Sequence, residues 1–110
     1  MRVPQKVRVA VIERDAGRCC ICSQYCLAAH VHHRQPRGMG GTSSSSSYAV
    51  ANLLTLCSTC HLVTVEPNRA VAELNGWVVR RPTDPAEVPV MYRGRWVRLD
   101  NGGGVTAIGL

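Results

Sequence analysis

Cysteine and histidine are the residue types in this chain whose spacing could do chemistry. Four of the six cysteines form two Cys-x-x-Cys pairs, Cys19 with Cys22 and Cys57 with Cys60. One such pair presents two thiolates to the same ion, so two pairs can complete a tetrahedral site. We therefore predict that these four cysteines bind one structural zinc ion. Two chance pairs in a cysteine-rich protein are the alternative.

Cys20 and Cys26 lie outside these pairs. Cys20 could pair with Cys22 in place of Cys19, but that closer spacing is the less common form of a zinc-binding turn. A cysteine that binds no metal behaves as a small, weakly polar residue and is usually buried. We interpret Cys20 and Cys26 as small buried side chains or incidental thiols and not as ligands.

His32 and His33 are adjacent, and His61 directly follows the second cysteine pair. The side chains of neighbouring strand residues point to opposite faces. One of the two histidines can therefore hold a metal ion while the other stands beside it as a base, if the strand ends or bends there. Pro36 and Gly38 permit such a bend. A closed cysteine site would also fix the direction of the His61 imidazole.

A basic N-terminal helix is predicted within residues 1–18. Pro4 suits a first helical position, apolar residues then recur at helical spacing, and Gly17 ends the segment, although its valines would also fit a strand. Residues 26–34 predict a short strand that leads into the histidines. The Pro-, Gly- and Ser-rich residues 36–48 predict an exposed loop.

The remaining elements are predicted to be short. Residues 49–56 return to the core, and an apolar segment of one or two helical turns begins at His61. Asn68 can cap a second helix that ends at Gly76. Three short strands are predicted next, the first at residues 77–81 and the last two joined around Gly94 as a hairpin. The C-terminal residues are expected to be loose.

Length and composition predict one small domain that depends on a metal ion. A chain of 110 residues buries a limited core, and chains of this size often need a metal ion or disulfides. The first residues show neither the apolar segment nor the cleavage site of a secretory signal, so we expect a cytoplasmic protein. In a reducing compartment the cysteine pairs favour metal over disulfides. No apolar run approaches the length of a membrane span.

Basic residues exceed acidic residues, 13 Lys and Arg against 7 Asp and Glu, which gives a net charge of +6. Twelve of the 13 are arginines, whose planar guanidinium matches pairs of phosphate oxygens. Four thiolates and one zinc ion would lower the net charge to about +4, which still favours a polyanion. A solvated basic surface would explain this charge, but not its concentration in residues 1–37.

The segments RDAGRCCIC, HVHHRQPRGMGG and ANLLTLCSTCH resemble the HNH endonucleases, also described as ββα-metal nucleases. The resemblance runs over residues 14–61, with the motif elements in order. It implies that His33, Asn52 and His61 are the three residues that name the family, and that His32 is a metal ligand. In the family the asparagine orients the loop and the base, and many members carry the same cysteine pairs as a structural zinc site.

This resemblance implies a small α+β fold for residues 1–110 as a single nuclease domain. A ββα-metal core, stapled by the four-cysteine zinc site, would span residues 19–76. The basic helix of residues 1–18 would precede it, and a short β-hairpin with a loose tail would lie within residues 77–110. The C-terminal part is similar to small HNH proteins of actinobacterial phages, which implies the host cell cytoplasm and a role in phage DNA processing or packaging.

The implied function is metal-dependent hydrolysis of DNA phosphodiester bonds. His33 would act as the general base, while a divalent cation held by His32 and His61 stabilises the phosphate. Two imidazole ligands favour Mn²⁺, Co²⁺, Ni²⁺ or Zn²⁺ over Mg²⁺. His30, on the face of His32, is a further candidate ligand. Glu66 is another, but it falls one residue past the helical i+4 position, so we expect a solvent-facing or capping role unless the helix is irregular.

DNA is the expected partner, and four arginines are the expected phosphate contacts: Arg14, Arg18, Arg34 and Arg37. A non-catalytic zinc-stabilised DNA-binding module is an alternative, but it leaves the histidines and Asn52 unexplained. A terminase-associated interaction protein is another, in which Trp77, Tyr92 and Trp96 would dock a partner. We prefer to interpret these aromatic residues as the core of the C-terminal part.

Overall fold

A computed structural model describes residues 3–36 and 48–109. Within these ranges the helices and strands are α1 Gln5–Arg14, β1 His30–His33, β2 Leu53–Leu56, α2 Arg69–Leu74, β3 Val90–Tyr92, β4 Arg95–Leu99 and β5 Val105–Ala107. A π-helical segment, Cys60–Val65, lies between β2 and α2, and 3₁₀ turns cover Val50–Asn52 and Pro85–Glu87. The predicted small α+β class is confirmed. Most of the predicted loop, 36–48, lies outside the described residues.

Helix α1 forms where the sequence predicts it. Pro4 occupies the N-cap and not the first helical position, and its carbonyl accepts the first helical hydrogen bond, from the Arg8 amide at 2.9 Å. Gly17 has a φ of +69°, in the left-handed region that glycine adopts without strain, and this turn ends the helical path. In the part of the chain that the structure describes, no helix is long and apolar enough to cross a membrane.

Strands β1 and β2 form a two-stranded antiparallel sheet. In its register His30 faces Leu56, and His32 faces Leu54. All four residues of β2 are buried, whereas β1 buries only His32. Because side chains alternate along a strand, His30 and His32 share one face of β1. The strand predicted over residues 26–34 is therefore present, but it covers only His30–His33 and so contains the histidine pair.

Strands β3, β4 and β5 form a second antiparallel sheet in that order. Arg93 and Gly94 join β3 to β4 with φ values of +51° and +81°, the signs that a tight hairpin turn requires. This confirms the predicted hairpin. The expected loose tail is wrong for β5, because the Asp100 carboxylate accepts the amides of Gly102 and Gly104 and so turns the chain back onto β4. The strand predicted at residues 77–81 is also absent from the described structure.

One hydrophobic cluster joins β2 to the second sheet. It includes Leu54 and Leu56 of β2 together with Val90, Tyr92, Val97 and Leu99 of the hairpin. Trp77 belongs to this cluster and donates its indole N–H to the Met91 carbonyl at 2.8 Å. Trp77 and Tyr92 are thus core residues, as predicted, and Trp96 is half-buried.

Asp15 forms a buried polar contact between α1, β2 and the hairpin. Its carboxylate accepts hydrogen bonds from the Arg14 guanidinium at 2.7 and 2.9 Å, the Thr55 amide at 3.0 Å and the Tyr92 hydroxyl at 2.8 Å. Burial by itself would raise the pKa of Asp15, but these hydrogen bonds and the charge of Arg14 hold that pKa below its usual value. The ionised carboxylate therefore joins elements that are distant in sequence.

Candidate functional site

The four paired cysteines form one cluster. The sulfur atoms of Cys19, Cys22, Cys57 and Cys60 all lie within 4.8 Å of one another. The Sγ atoms of Cys22 and Cys57 are 3.7 Å apart. Tetrahedral zinc with bonds of about 2.3 Å requires sulfur separations of about 3.8 Å. The cluster could therefore hold a metal ion such as zinc.

Each cysteine pair sits in a turn in which a backbone amide donates to one of its two sulfur atoms. The Ile21 amide donates to Cys19 Sγ and the Cys60 amide donates to Cys57 Sγ, both at 3.4 Å. Burial opposes ionisation of Cys19, but backbone hydrogen bonds outweigh it and lower the pKa of Cys19 to about 7. The thiolate is the form that binds metal, so the first turn prepares Cys19 before an ion arrives, whereas burial raises the pKa of Cys22 and of Cys60.

The other two cysteines have separate environments. Cys20 is fully buried, which raises the pKa of its thiol. Its amide donates to the Thr55 carbonyl at 2.9 Å and its carbonyl accepts the Arg93 amide at 2.7 Å, so its backbone links the first turn to β2 and the hairpin. Cys26 Sγ donates to the Gln24 carbonyl at 3.7 Å. Neither belongs to the group of four.

His32, His61 and Glu66 form a second group whose ligand atoms lie within 4.8 Å of one another. His32 Nε2 is 2.8 Å from the Trp77 carbonyl oxygen, which can only accept a hydrogen bond. This contact assigns the ring proton to Nε2 and makes Nδ1 the ligand atom. Burial lowers the pKa of His32 to about 4, so the imidazole is neutral at pH 7, as a metal ligand must be.

The π-helical turn explains why Glu66 joins this group. The Glu66 amide donates to the His61 carbonyl at 3.1 Å, five residues earlier, where an α-helix would use the residue four earlier. The wider turn places Glu66 above His61, with Oε1 3.2 Å from Nε2, and leaves Val65 buried in the core. The helix is thus irregular at this point, which is the condition under which the sequence allowed Glu66 to reach the metal, and the Glu66 side chain is also 49% exposed.

His30 contacts the same imidazole from the other side. The Nδ1 atoms of His30 and His61 are 2.9 Å apart, and the two rings meet edge to face. The His61 ring thus has His30 at one nitrogen and Glu66 at the other. His30 lies outside the three-residue ligand group, and its contact is with a member of that group.

His33 lines the same cleft as the three candidate ligands. The cleft has a volume of about 320 Å³, and its walls include His32, His61, Glu66 and Arg69. His33 itself is half-buried at the end of β1, and its ring lies 6.2 Å from that of Tyr48. The structure thus brings together the candidate base and the candidate ligands. We name this space the histidine cleft.

Asn52 fixes the chain that leaves the histidine cleft. Its carbonyl accepts the Arg34 amide at 2.7 Å. Its side chain accepts the Gln35 amide at 2.8 Å and donates to the Gln35 carbonyl at 3.3 Å. The residue is almost completely buried, so these hydrogen bonds hold residues 34 and 35 directly after His33. The loop-orienting role expected of Asn52 agrees with this geometry.

Two of the four predicted phosphate contacts are buried, and these predictions are wrong. Arg34 is 0% exposed and donates to four backbone carbonyls, those of Gly76, Ala51, Pro85 and Val88. Burial lowers the pKa of Arg34 to about 10, which still leaves it charged at pH 7. The Arg14 side chain is 2% exposed, and beyond Asp15 it donates to the carbonyls of Val50 and Leu53. Both guanidinium groups join backbone segments and do not reach solvent.

The remaining two predicted phosphate contacts are Arg18 and Arg37. Arg18 is half-buried and lies over the Tyr25 ring at 4.4 Å from its centroid, where it also donates to the Tyr25 hydroxyl at 2.8 Å. Arg37 lies outside the described residues. Arg69 of the histidine cleft was not singled out from the sequence. It begins a different helix from the segment whose C-cap is Glu66, so no helical spacing pointed to it.

Comparisons of this chain with protein-family models, curated proteins and solved structures found no match. Its function is therefore inferred from the two clusters and the cleft.

Proposed function

We propose that this protein is a metal-dependent endonuclease of the HNH, or ββα-metal, type that hydrolyses phosphodiester bonds in DNA. One observation carries the proposal: His33 shares a cleft with His32, His61 and Glu66, three residues whose ligand atoms can converge on one ion. The order of elements also fits, since two antiparallel strands are followed by a helical segment. The sequence resemblance adds a role in phage DNA processing or packaging to the proposal.

In this proposal His33 is the general base. A neutral imidazole at the cleft wall would take a proton from water as that water attacks the phosphorus atom. Asn52 restrains the residues that follow, so the position of His33 at the end of β1 is fixed by backbone contacts. Positioning of the base matters because a displacement of about 1 Å can cost a factor of about 100 in rate.

His32, His61 and Glu66 would hold the catalytic cation. When bound, that cation would supply Lewis-acid stabilisation of the charge that develops on the phosphate oxygens. The Trp77 carbonyl orients His32, and such contacts to the far ring nitrogen commonly fix the tautomer of metal-binding histidines. Two imidazoles and one carboxylate favour Mn²⁺, Co²⁺, Ni²⁺ or Zn²⁺ over Mg²⁺. A separate structural zinc ion would occupy the four-cysteine cluster.

Plasmid cleavage by the zinc-loaded protein tests this function. Supercoiled plasmid is incubated with the protein and with Mn²⁺ or Ni²⁺, and the second metal is omitted in the control so that no chelator strips the zinc. Nicked or linear product is expected only with the second metal. His33→Ala should reduce the rate by at least about 100-fold while uptake of the second metal stays at the wild-type level. His61→Ala should lose that uptake.

Two results would contradict the proposal in different ways. Full cleavage by His33→Ala would assign the base to another residue, with His30 the next candidate. A wild-type protein that binds DNA but cuts it with none of these metals would favour the zinc-stabilised DNA-binding module.

A further inference from the structure

Arg69 is an exposed cation inside the histidine cleft. It is the first residue of α2, and the cleft wall contains it together with His33 and Glu66. Among residues 3–36 and 48–109, the ion pairs and hydrogen bonds of the structure give the Arg69 guanidinium no partner. Arg80, by comparison, is bound to Glu73 at 2.8 Å.

Glu66 is the nearest acidic residue in sequence, but its carboxylate is engaged elsewhere. Glu66 Oε1 lies 3.2 Å from His61 Nε2 and within the group that can converge on a metal ion. A divalent cation would compensate the single negative charge of Glu66, because His32 and His61 bind metal in their neutral form. The cleft would then carry the remaining positive charge of the ion and that of Arg69, and an anion would be needed to balance them.

From this arrangement we infer that Arg69 is the phosphate-binding residue of the histidine cleft, and that the ligand it selects is a phosphodiester of a nucleic-acid backbone. The inference rests on the proposed function. A guanidinium presents paired N–H donors that match two non-bridging phosphate oxygens. Arg69 thereby replaces Arg14 and Arg34 as the expected phosphate contact. The N–H donors of those two arginines are already bound to buried carbonyls and to Asp15.

DNA affinity measured as a function of salt tests this role without requiring cleavage. The zinc-loaded protein, without a second metal, is titrated into a fluorescein-labelled 20-bp duplex between about 50 and 200 mM salt, a range in which phosphate contacts dominate affinity. Arg69→Gln should weaken binding roughly tenfold and reduce the slope of log K against log salt by about 0.9, the value for one phosphate contact. Arg69→Lys should retain most of the slope.

Arg98→Gln is the matched control. Arg98 is an exposed residue of β4 outside the histidine cleft, and its substitution removes the same charge. We expect Arg98→Gln to change the dissociation constant by less than about twofold, since bulk charge alone has a small effect. Circular dichroism and second-metal uptake of Arg69→Gln should match wild type, because Arg69 is exposed and belongs to neither candidate ligand group.

The outcomes separate this inference from the proposed function. Equal affinities and slopes for Arg69→Gln and Arg98→Gln would overturn the role of Arg69, even if the wild-type protein cuts plasmid. A wild-type protein that does not bind the duplex at all would overturn it as well. If Arg69→Gln alone loses the salt-dependent affinity but no metal supports cleavage, Arg69 is a phosphate contact and the nuclease proposal fails.

Discussion

The two candidate metal centres of this protein are built in different ways. In the four-cysteine cluster, each half is a short turn whose own amides donate to its sulfur atoms, as from Ile21 to Cys19 and from Cys60 to Cys57. The histidine cleft has no such local unit. Its three candidate ligands come from β1 and from the π-helical turn with its C-cap Glu66, and His32 is oriented by the distant Trp77 carbonyl.

Under the proposed function, this difference would correspond to the division between structural and catalytic metal sites. Four sulfur ligands fill a tetrahedral shell and leave no position for a substrate, whereas a group of three protein ligands beside a cleft leaves coordination positions open. The cysteine cluster therefore should govern whether the core folds. The histidine cleft should determine the activity of the folded core.

Loss of one cysteine ligand should have the largest effect. Binding of a structural zinc ion contributes about 10–16 kcal/mol, comparable to the whole stability of a small domain. Cys57→Ser should therefore abolish the cooperative thermal transition, measured by circular dichroism, and His61→Ala should keep it. Elemental analysis should find one tightly bound zinc ion in the wild-type protein. Folded wild-type protein that contains no zinc would show that the cysteine cluster is not structural.

Asp15→Asn tests the buried hydrogen bonds of Asp15, on which we expect both candidate metal centres to depend. Asp15 binds the amide of Thr55 in β2, and this strand lies between Asn52 and Cys57. Removing a buried charged partner costs about 3–5 kcal/mol, so the free energy of unfolding should fall by about that amount. Urea denaturation measures the change, with the exposed Glu87→Gln as a control of equal charge. A change in the free energy of unfolding below about 1 kcal/mol would argue against this dependence on Asp15.

The pH dependence of stability should report the same carboxylate. Because the folded pKa of Asp15 is lowered, its contribution is present above its unfolded pKa of about 3.9 and is lost as pH falls through the folded value. Below about pH 4 the wild-type protein should therefore lose stability more steeply than Asp15→Asn. If the stabilities of the two proteins fell in parallel between pH 5 and pH 2, Asp15 would not be the cause of the loss of stability in acid.

Glu66→Gln should weaken metal binding in the histidine cleft and leave the four-cysteine cluster unchanged. We expect the affinity for the second metal, measured by calorimetry on the zinc-loaded protein, to weaken by at least about 10-fold, because loss of a group that only supports a ligand already costs about 10- to 100-fold. Zinc content and melting temperature should stay unchanged because the carboxylate is half exposed and outside the core. Glu13→Gln on α1 is the control for charge. Unchanged second-metal affinity would show that Glu66 is not a ligand of the second metal.

Cys26→Ser should have the smallest effect. Cys26 is partly buried at the margin of the core cluster, and its sulfur makes one long contact, to the Gln24 carbonyl. Zinc stoichiometry should remain one per chain, and the melting temperature should change by no more than about 4 °C, the shift expected for about 1 kcal/mol or less. Loss of zinc from Cys26→Ser would mean that the cluster recruits a fifth thiol.

Much of the secondary structure could be predicted from local sequence signals. Pro4 and Gly17 bound α1 closely, and Gly94 marks the hairpin, because proline and glycine restrict or extend the backbone conformations of their own residues. Strand β5 could not be predicted in this way. It depends on Asp100 binding two amides of a Gly-rich turn, and that turn is useful only because β4 offers an edge to pair with.

The arginines show the limit of reading charge from sequence. Arg34 and Arg69 have the same side chain, yet Arg34 is completely buried among carbonyls while Arg69 is exposed in the histidine cleft. Charge type is a property of the residue, whereas desolvation depends on which backbone segments surround it. The prediction that Arg14 and Arg34 contact phosphate failed for this reason.

The sequence by itself determined the four-cysteine cluster, because each Cys-x-x-Cys turn places two sulfur atoms together within four residues and only the meeting of two turns was left to the fold. It also determined that His33 follows His32 at the end of a strand. Only the tertiary structure decided that Glu66 joins His32 and His61. A π-helical turn buries Val65 and rotates Glu66 onto the cleft, and that choice depends on the packing of Val65 into a core assembled from the whole chain.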